Sequence, residues 1–266
     1  MDVKGHLIAW MRVLVAADAI VLETPPGRRE TVERTLVHYR VGAPVRFAVP
    51  LVRVLALLGP QARAVLSAAG GEVPELGPEE HVTAHVAGHE VRVARASDLP
   101  AGGLVLHVAA DHTEAVERGL VAAGAVPLDS GEMDALRIEE GRPWYGRDVT
   151  EENLLHETGL VAEYHSPTKG CYVGQEVIAR LEARGGHVNK LLRGLRLLAP
   201  VAAGAAITHE GKDAGRVTTA ALSPRLGPIA MGYVHRSASE PGTAVEVDGT
   251  RGQIAPLPLA GPAGGS

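Results

Sequence analysis

The chain has 266 residues, 45% of them apolar and 21% charged, a composition that suits a globular protein of two or three small domains. A net charge of −5 leaves no electrostatic footprint for nucleic acid, and no direct nucleic-acid partner is expected. No apolar run approaches the length of a membrane span. The apolar start is broken by Asp2, Lys4, His6, Arg12 and Asp18 and lacks a cleavage site, so a cytoplasmic protein, monomeric by default, is expected. The single cysteine, Cys171, excludes an internal disulfide or multi-thiolate metal site and fits a reducing compartment.

In chain order, the apolar stretches "HLIAWMRVLV" and "AIVLET" predict two strands around Ala16-Ala17-Asp18, followed by a helix over "PGRRETVERTLVHYRV". Short strands are expected at 45–49 and 52–58, split by Pro50, and then a helix from Gly59-Pro60 to the glycine pair at 70–71. The alternation Val82, Ala84, Val86, Val91, Val93 around Gly88 predicts a hairpin. Strand, helix and strand follow at "LVLHVA", "DHTEAVERGLVAAG" and "AVPL", and "SGEMDALRIEEG" reads as a capped helix. From Leu191 to Leu257 the pattern becomes short strands with Gly/Pro turns, which predicts a small β-barrel or sandwich. The boundary near Gly185-Gly186 reads as a hinge, and the end of the chain as disordered.

Several motifs fail on inspection. His81, His85 and His89 are spaced by four, but the intervening valines alternate with period two, so these histidines belong on strands opposite a buried face and not on a metal-binding helix. "HETGLVAEYH" has Leu160 where a zinc-binding H-E-x-x-H helix needs histidine. Neither phosphate-binding glycine loops nor a G-x-S-x-G elbow occur.

Three stretches carry chemistry. In "TKGCYVGQEVIAR", Cys171 stands just before a helical run, Gln175 to Ala183, and Lys169 is two residues upstream. A helix start and a nearby ammonium both favour a thiolate. A lone cysteine is by base rate a small buried hydrophobe. Here four lysines against 22 arginines make a lysine in a turn bracketed by Gly170 and Gly174 a pointed choice, and Gln175 and Glu176 lie in the first helical turn. The second stretch, Met133 to Leu160, clusters Arg137, Glu139, Trp144, Tyr145 and Arg147 around the end of a helix at Gly141. A carboxylate beside aromatics suits a flat heteroaromatic ring with N–H donors; a salt-bridged helix end is the plainer reading. The third is the opening "VKGHLIAWMRVL", which begins a strand.

Together and in this order these stretches resemble the YgfZ-type folate-binding proteins, relatives of the aminomethyltransferase (T-protein) of the glycine cleavage system. "KGCYVGQE", Lys169 to Glu176, is similar at every position to the family hallmark K-G-C-[FY]-x-G-Q-E. "RIEEGRPWYGRD" resembles R-[IL]-E-x-G-x-P-x-[FY]-G, and "VKGHLIAWMRVL" the K-G-[KR] strand. The resemblance extends to about Leu259. It implies an α+β GcvT-like fold with ferredoxin-like α/β units around a central folate pocket and a C-terminal β-barrel. The parts would be 1–48 with 144–188, 49–143, and 189–258, with 259–266 a disordered tail.

The resemblance also implies tetrahydrofolate, or a one-carbon derivative, bound near Glu139, Trp144, Tyr145, Arg147, Tyr172, Gly170 and Gly174. Cys171 would be the reactive group, with Lys169, Gln175 and Glu176 around it. The implied role is support of iron–sulfur enzymes, tRNA-modifying ones included, through transient contacts with those clients. One cysteine cannot hold a cluster alone, so a partner would share its ligands. Two departures stand out. Ile8-Ala9-Trp10 has no carboxylate where the T-protein carries its catalytic aspartate, which disfavours aminomethyl transfer and leaves open whether the protein is an enzyme. The family also has roughly 30–50 residues before the K-G strand, about one βαβ unit. Either the start is misassigned or part of one domain is absent; in the second case the 49–143 unit is expected to have an open strand edge.

Overall fold

The computed structural model describes residues 1–78 and 80–259. Along the chain run β1 (Arg12–Val15), β2 (Ile20–Glu23), α1 (Arg29–Tyr39), β3 (Val52–Leu57), α2 (Ala62–Ala68), β4 (His81–Val86), β5 (His89–Arg95), β6 (Leu104–Ala109) and α3 (Thr113–Ala122). Then come α4 (Ser130–Glu139), the one-turn helices α5 (Leu155–Thr158) and α6 (Val161–Tyr164), and α7 (Gln175–Ala183). The strands β7 (Lys190–Leu197), β8 (Ala206–His209), β9 (Lys212–Ser223), β10 (Gly227–His235), β11 (Ala244–Val247) and β12 (Thr250–Ala255) complete the series. Contacts divide the chain into two units. One holds Met1–Met11, Thr24–His38 and the chain from Ser130 onward; the other holds Arg12–Glu23 and Tyr39–Asp129.

The Arg12–Glu23 and Tyr39–Asp129 unit contains the hairpin β1–β2 and a four-stranded antiparallel sheet of order β3-β6-β5-β4. Alternation puts Val86, Val91, Val93, Leu106 and Val108 on one face, where Leu66 of α2 and Val116 of α3 cover them. The predicted hairpin at Gly88 is present: Val86 pairs with His89 across a two-residue turn in which Ala87 and Gly88 both have positive φ. The three histidines lie on these strands, and His85 is exposed beside the buried Ala84 and Val86. The ferredoxin-like pattern is realised only in part. β3, α2, β4 and β5 follow it, but β6 comes without an intervening helix and α3 follows the sheet. Residues 45–49 form no strand and are exposed, and residues 125–128 form none either. The outer edge of β3 pairs with no described strand, and Leu51, Val52 and Val54 there are exposed.

In the other unit the last six strands close into a barrel of order β10-β7-β12-β11-β8-β9. Its interior is filled by Leu195, Ile207, Val217, Ala230, Val234, Val247 and Ile254. The two faces of β10 separate by period two: Ala230 and Val234 point inward, while Ile229 and Met231 meet Ile138 of α4 outside. Burying a side chain such as Ile138 contributes about 1.5–3 kcal/mol and fixes α4 against the barrel wall. A smaller core joins Leu7, Tyr145, Val149 and Leu155. The strand expected from residue 3 begins only at Arg12. Before it, Asp2 accepts from the backbone N–H groups of Lys4 (2.8 Å) and His6 (2.9 Å) and so shapes a turn. Leu259, expected in a disordered tail, is buried against the barrel; residues 260–266 lie outside the described residues. No described helix is long and apolar enough to cross a membrane.

Candidate functional site

α4 is the element from which the site is built. Asp134 and Arg137 stand three apart and share a face; Glu139, two further on, points elsewhere. Arg137 is fully buried. Its Nε donates to Asp134 at 2.7 Å, one terminal nitrogen donates to Asp148, and the other donates to Thr219 Oγ1 at 2.7 Å. Asp148 also accepts from the Trp144 N–H at 2.9 Å and from the hydroxyls of Thr218 (2.5 Å) and Thr219 (2.8 Å). Every polar group of this buried network is thus answered, and it ties α4, the Trp144–Val149 turn and β9 together. Arg147 forks onto Asp134 with two bonds of 2.7 Å. The Arg137 guanidinium carbon lies 5.1 Å from the Trp144 ring centroid, and Trp144 is 37% exposed.

Glu139 is buried and faces the turn between β9 and β10. It accepts from Ser223 Oγ on one oxygen and from Arg225 on the other, with Arg225 Nε at 2.8 Å. Among the described residues no hydrogen bond, ion pair or ring contact joins Glu139 to Trp144, Tyr145 or Cys171.

Tyr145 connects the second stretch to the first. It is buried, and its hydroxyl donates to the carbonyl oxygens of Leu7 (2.7 Å) and Ile8 (2.5 Å). Burial pushes the phenol above its ordinary value, against the opposing pull of the Arg28 charge. Arg28 itself donates to the Ile8 carbonyl at 3.0 Å. Trp10 meets Tyr145 edge-on with centroids 6.1 Å apart, and stacks on Tyr164 at 5.0 Å.

The third stretch is a turn leading into α7. Gly174 caps the helix in the left-handed region, and the Tyr172 N–H donates to Gln175 Oε1 at 3.0 Å. Cys171 is exposed on this turn. Glu176 is exposed in the first turn of α7, and Gly170 is open to space. The Lys169 ammonium sits 5.5 Å from the Tyr172 ring centroid. The Tyr172 hydroxyl lies 3.1 Å from His165 Nε2, and His165 Nδ1 lies 3.2 Å from Glu182. Burial is the main influence raising the Tyr172 phenol, and the Glu182 charge adds to it. The opening residues run against this helix start: a Cβ on Gly174 would meet the Asp2 carbonyl oxygen at 2.4 Å, and one on Gly5 would meet Val177 at 3.1 Å.

The fold therefore joins the three stretches in series, through Tyr145 to Leu7 and Ile8 and through Gly5 and Asp2 to α7. Glu139 stands apart, against the barrel turn. Sequence reading missed Asp134, Asp148, Thr218, Thr219, Ser223, Arg225, His165 and Glu182. The i,i+3 spacing of Asp134 and Arg137 was an available signal for the first pair; the barrel residues offered none, because their partners lie 70 or more positions away.

Residues 15–163 match the GCVT N-terminal domain, and residues 190–260 match the glycine cleavage T-protein C-terminal barrel domain. An aminomethyltransferase of Synechocystis sp. is 32% identical over 202 residues, covering 73% of this chain and 53% of that protein. One of Rubrobacter xylanophilus is 34% identical over 191 residues, covering 68% and 49%. The chain spans about half the length of these curated relatives. The crystal structure of the glycine cleavage system aminomethyltransferase T from Bartonella henselae superposes with a TM-score of 0.84 at 24% identity, covering 97% of this chain and 74% of that one. That likeness establishes a GcvT-like fold, and the two domain matches, which together span most of the sequence, assign the chain to the glycine cleavage T-protein (GcvT) family.

Proposed function

We propose that this chain binds tetrahydrofolate or a one-carbon derivative at Glu139, and that it supports iron–sulfur enzymes through the exposed turn at Cys171, as the YgfZ-type proteins it resembles do. The observation that carries the reading is that the three stretches of that resemblance are the ones the fold fastens to one another. Glu139 fits its role: it is a buried, acceptor-only carboxylate whose partners are donors. Trp144 offers a partly exposed ring face. Bound folate would supply one-carbon chemistry. Of the chain's own residues, Glu139 would accept from ring N–H groups and Trp144 would offer an aromatic face. Cys171 is the accessible nucleophile, on a turn held by Gln175 and flanked by Lys169 and Glu176. Contact with an iron–sulfur client draws further ligands from that client.

Calorimetric titration with tetrahydrofolate tests the ligand: the wild type binds at one site and Glu139→Ala does not. The client role is read in cells lacking the protein, where Cys171→Ala fails to restore iron–sulfur enzyme activity; full restoration would remove the cysteine from the mechanism.

The names of the relatives favour a second reading, aminomethyl transfer. Against it, the segment Leu7–Trp10 carries no carboxylate, and Asp2 is occupied by the N–H groups of its own turn. Formation of methylene-tetrahydrofolate from an aminomethylated lipoyl carrier would decide for the enzyme.

A further inference from the structure

Arg225 closes over Glu139 from the turn between β9 and β10. Its Nε donates to Oε2 at 2.8 Å, and a terminal nitrogen donates to the same oxygen. The partners differ in exposure: the Glu139 side chain is 3% exposed and that of Arg225 is 64% exposed. The arginine is thus the outer cover of an inner carboxylate. Oε1 is held differently. Ser223 Oγ donates to it, and that hydroxyl is fixed by accepting from the N–H groups of Arg225 (3.0 Å) and Leu226 (2.8 Å). One carboxylate oxygen therefore has a built-in donor, and the other has a donor on a long, solvated arm.

A guanidinium presents N–H groups on neighbouring nitrogens of one carbon. The 2-aminopyrimidinone edge of a pterin presents the same fork, an exocyclic amine and a ring N–H on one carbon. Both cannot occupy Oε2 together. We infer that Arg225 is an internal stand-in for the ligand's donor fork, and that a pterin reaches Glu139 only when the guanidinium swings out into solvent. This rests on the proposed folate reading and adds a gate and a selectivity rule to it. Opening requires side-chain rotation alone, because Ser223 keeps the turn and the carboxylate in place. An ion pair with so exposed a partner is screened and readily exchanged. Selectivity follows from the competition: a ring edge that carries acceptors, or a single donor, does not replace the fork it must displace.

If the pair were only a staple between α4 and the turn, Arg225 would have no influence on pterin affinity. Titrations of wild type, Arg225→Ala, Arg225→Gln and Glu139→Gln with tetrahydrofolate separate the cases, with circular dichroism checking that each variant folds. Both Arg225 variants are expected to bind roughly severalfold more tightly than wild type, because the closed fraction no longer competes. Glu139→Gln, which places an amide where an anionic acceptor is needed, is expected to lose binding. Equal affinity in wild type and the Arg225 variants overturns the gate and leaves the folate site standing, provided Glu139→Gln loses binding. Weaker binding by the Arg225 variants makes the arginine a direct ligand contact and also overturns the gate. No binding by any form, Arg225→Ala included, overturns both the gate and the folate reading, since the uncovered carboxylate is the form expected to bind best.

Discussion

Arg137 illustrates how one side chain couples elements distant in sequence. It is fully buried, and its charge is answered by Asp134 on its own helix and Asp148 across the turn. Removing it strands Asp148 in a site with no exposure. Breaking such a buried pair from one side costs about 3–5 kcal/mol. Arg137→Ala should therefore lower the thermal midpoint sharply, whereas Asp148→Asn, which keeps one acceptor oxygen for the two threonines and leaves Arg137 its bond to Asp134, should lower it less. A calorimetric scan of both variants checks this, and equal losses would show that the hydrogen bonds and not the charge dominate. The sequence placed Arg137, Glu139, Trp144, Tyr145 and Arg147 in one cluster. Helical geometry splits them: residues two apart face different ways, so Arg137 joins the Asp148 network while Glu139 turns to Ser223 and Arg225. Arg147, expected beside a ligand, pairs with Asp134. Residue type was legible here; which residue meets which depended on β9 and its turn, which no local pattern announces.

At the scale of elements, α7 and the opening segment depend on a single close approach. Gly174 has φ +85 and touches the Asp2 carbonyl, so an added Cβ at 2.4 Å forces the segment away. Gly174→Ala is expected to cost more than about 1 kcal/mol. It should also raise hydrogen exchange in residues 1–7 and 172–178 together, because the two pieces separate as one event. Gly170→Ala is the control: a Cβ there meets nothing within 4 Å, and its exchange profile should match wild type. Unchanged exchange in Gly174→Ala would show that the N-terminal segment is held by its other contacts, those of Tyr145 and Arg28 with Leu7 and Ile8 among them. Element types were largely readable from period and punctuation: the hairpin at Gly88, α3, α4, α7 and the barrel strands all follow their patterns. The errors share a cause. Apolar runs at 45–49 and 125–128 have strand composition but gain no neighbouring strand, and a strand without a ladder does not form. At Leu7 and Ile8 the backbone carbonyls that a strand would use are taken by the Tyr145 hydroxyl and Arg28.

For the whole molecule, strand spacing in the last third left barrel and sandwich open and the resemblance implied the barrel, which is present; what no local pattern carried was the order of its strands. The barrel order β10-β7-β12-β11-β8-β9 is not sequential, and one unit is assembled from three separated pieces of chain. Those long-range choices are made by packing complementarity, which leaves no local trace. The two units also carry different acid-sensitive groups. In the barrel unit, burial depresses His156 below its ordinary 6.5, the Glu182 charge opposes this, and His165 reinforces it; His156 Nδ1 is buried and has no hydrogen-bond partner among the described residues. In the other unit, burial alone would raise Glu23, but bonds from His107 and Arg12 together with the Arg12 charge outweigh it and hold Glu23 below 4.5. Both folded-state values lie under the unfolded ones, so each contribution is complete above the unfolded value and is lost as pH falls through the folded one. The barrel unit should begin to weaken below about pH 6.5, and the sheet unit only below about 4.5, where protonating Glu23 weakens its hold on Arg12 and His107. Hydrogen exchange followed separately in the two units from pH 7 to 4 reads both phases, and His156→Gln should abolish the upper one while leaving the lower untouched. An upper phase that persists in His156→Gln would assign it to another group, and a single transition shared by both units would show that they unfold as one cooperative body.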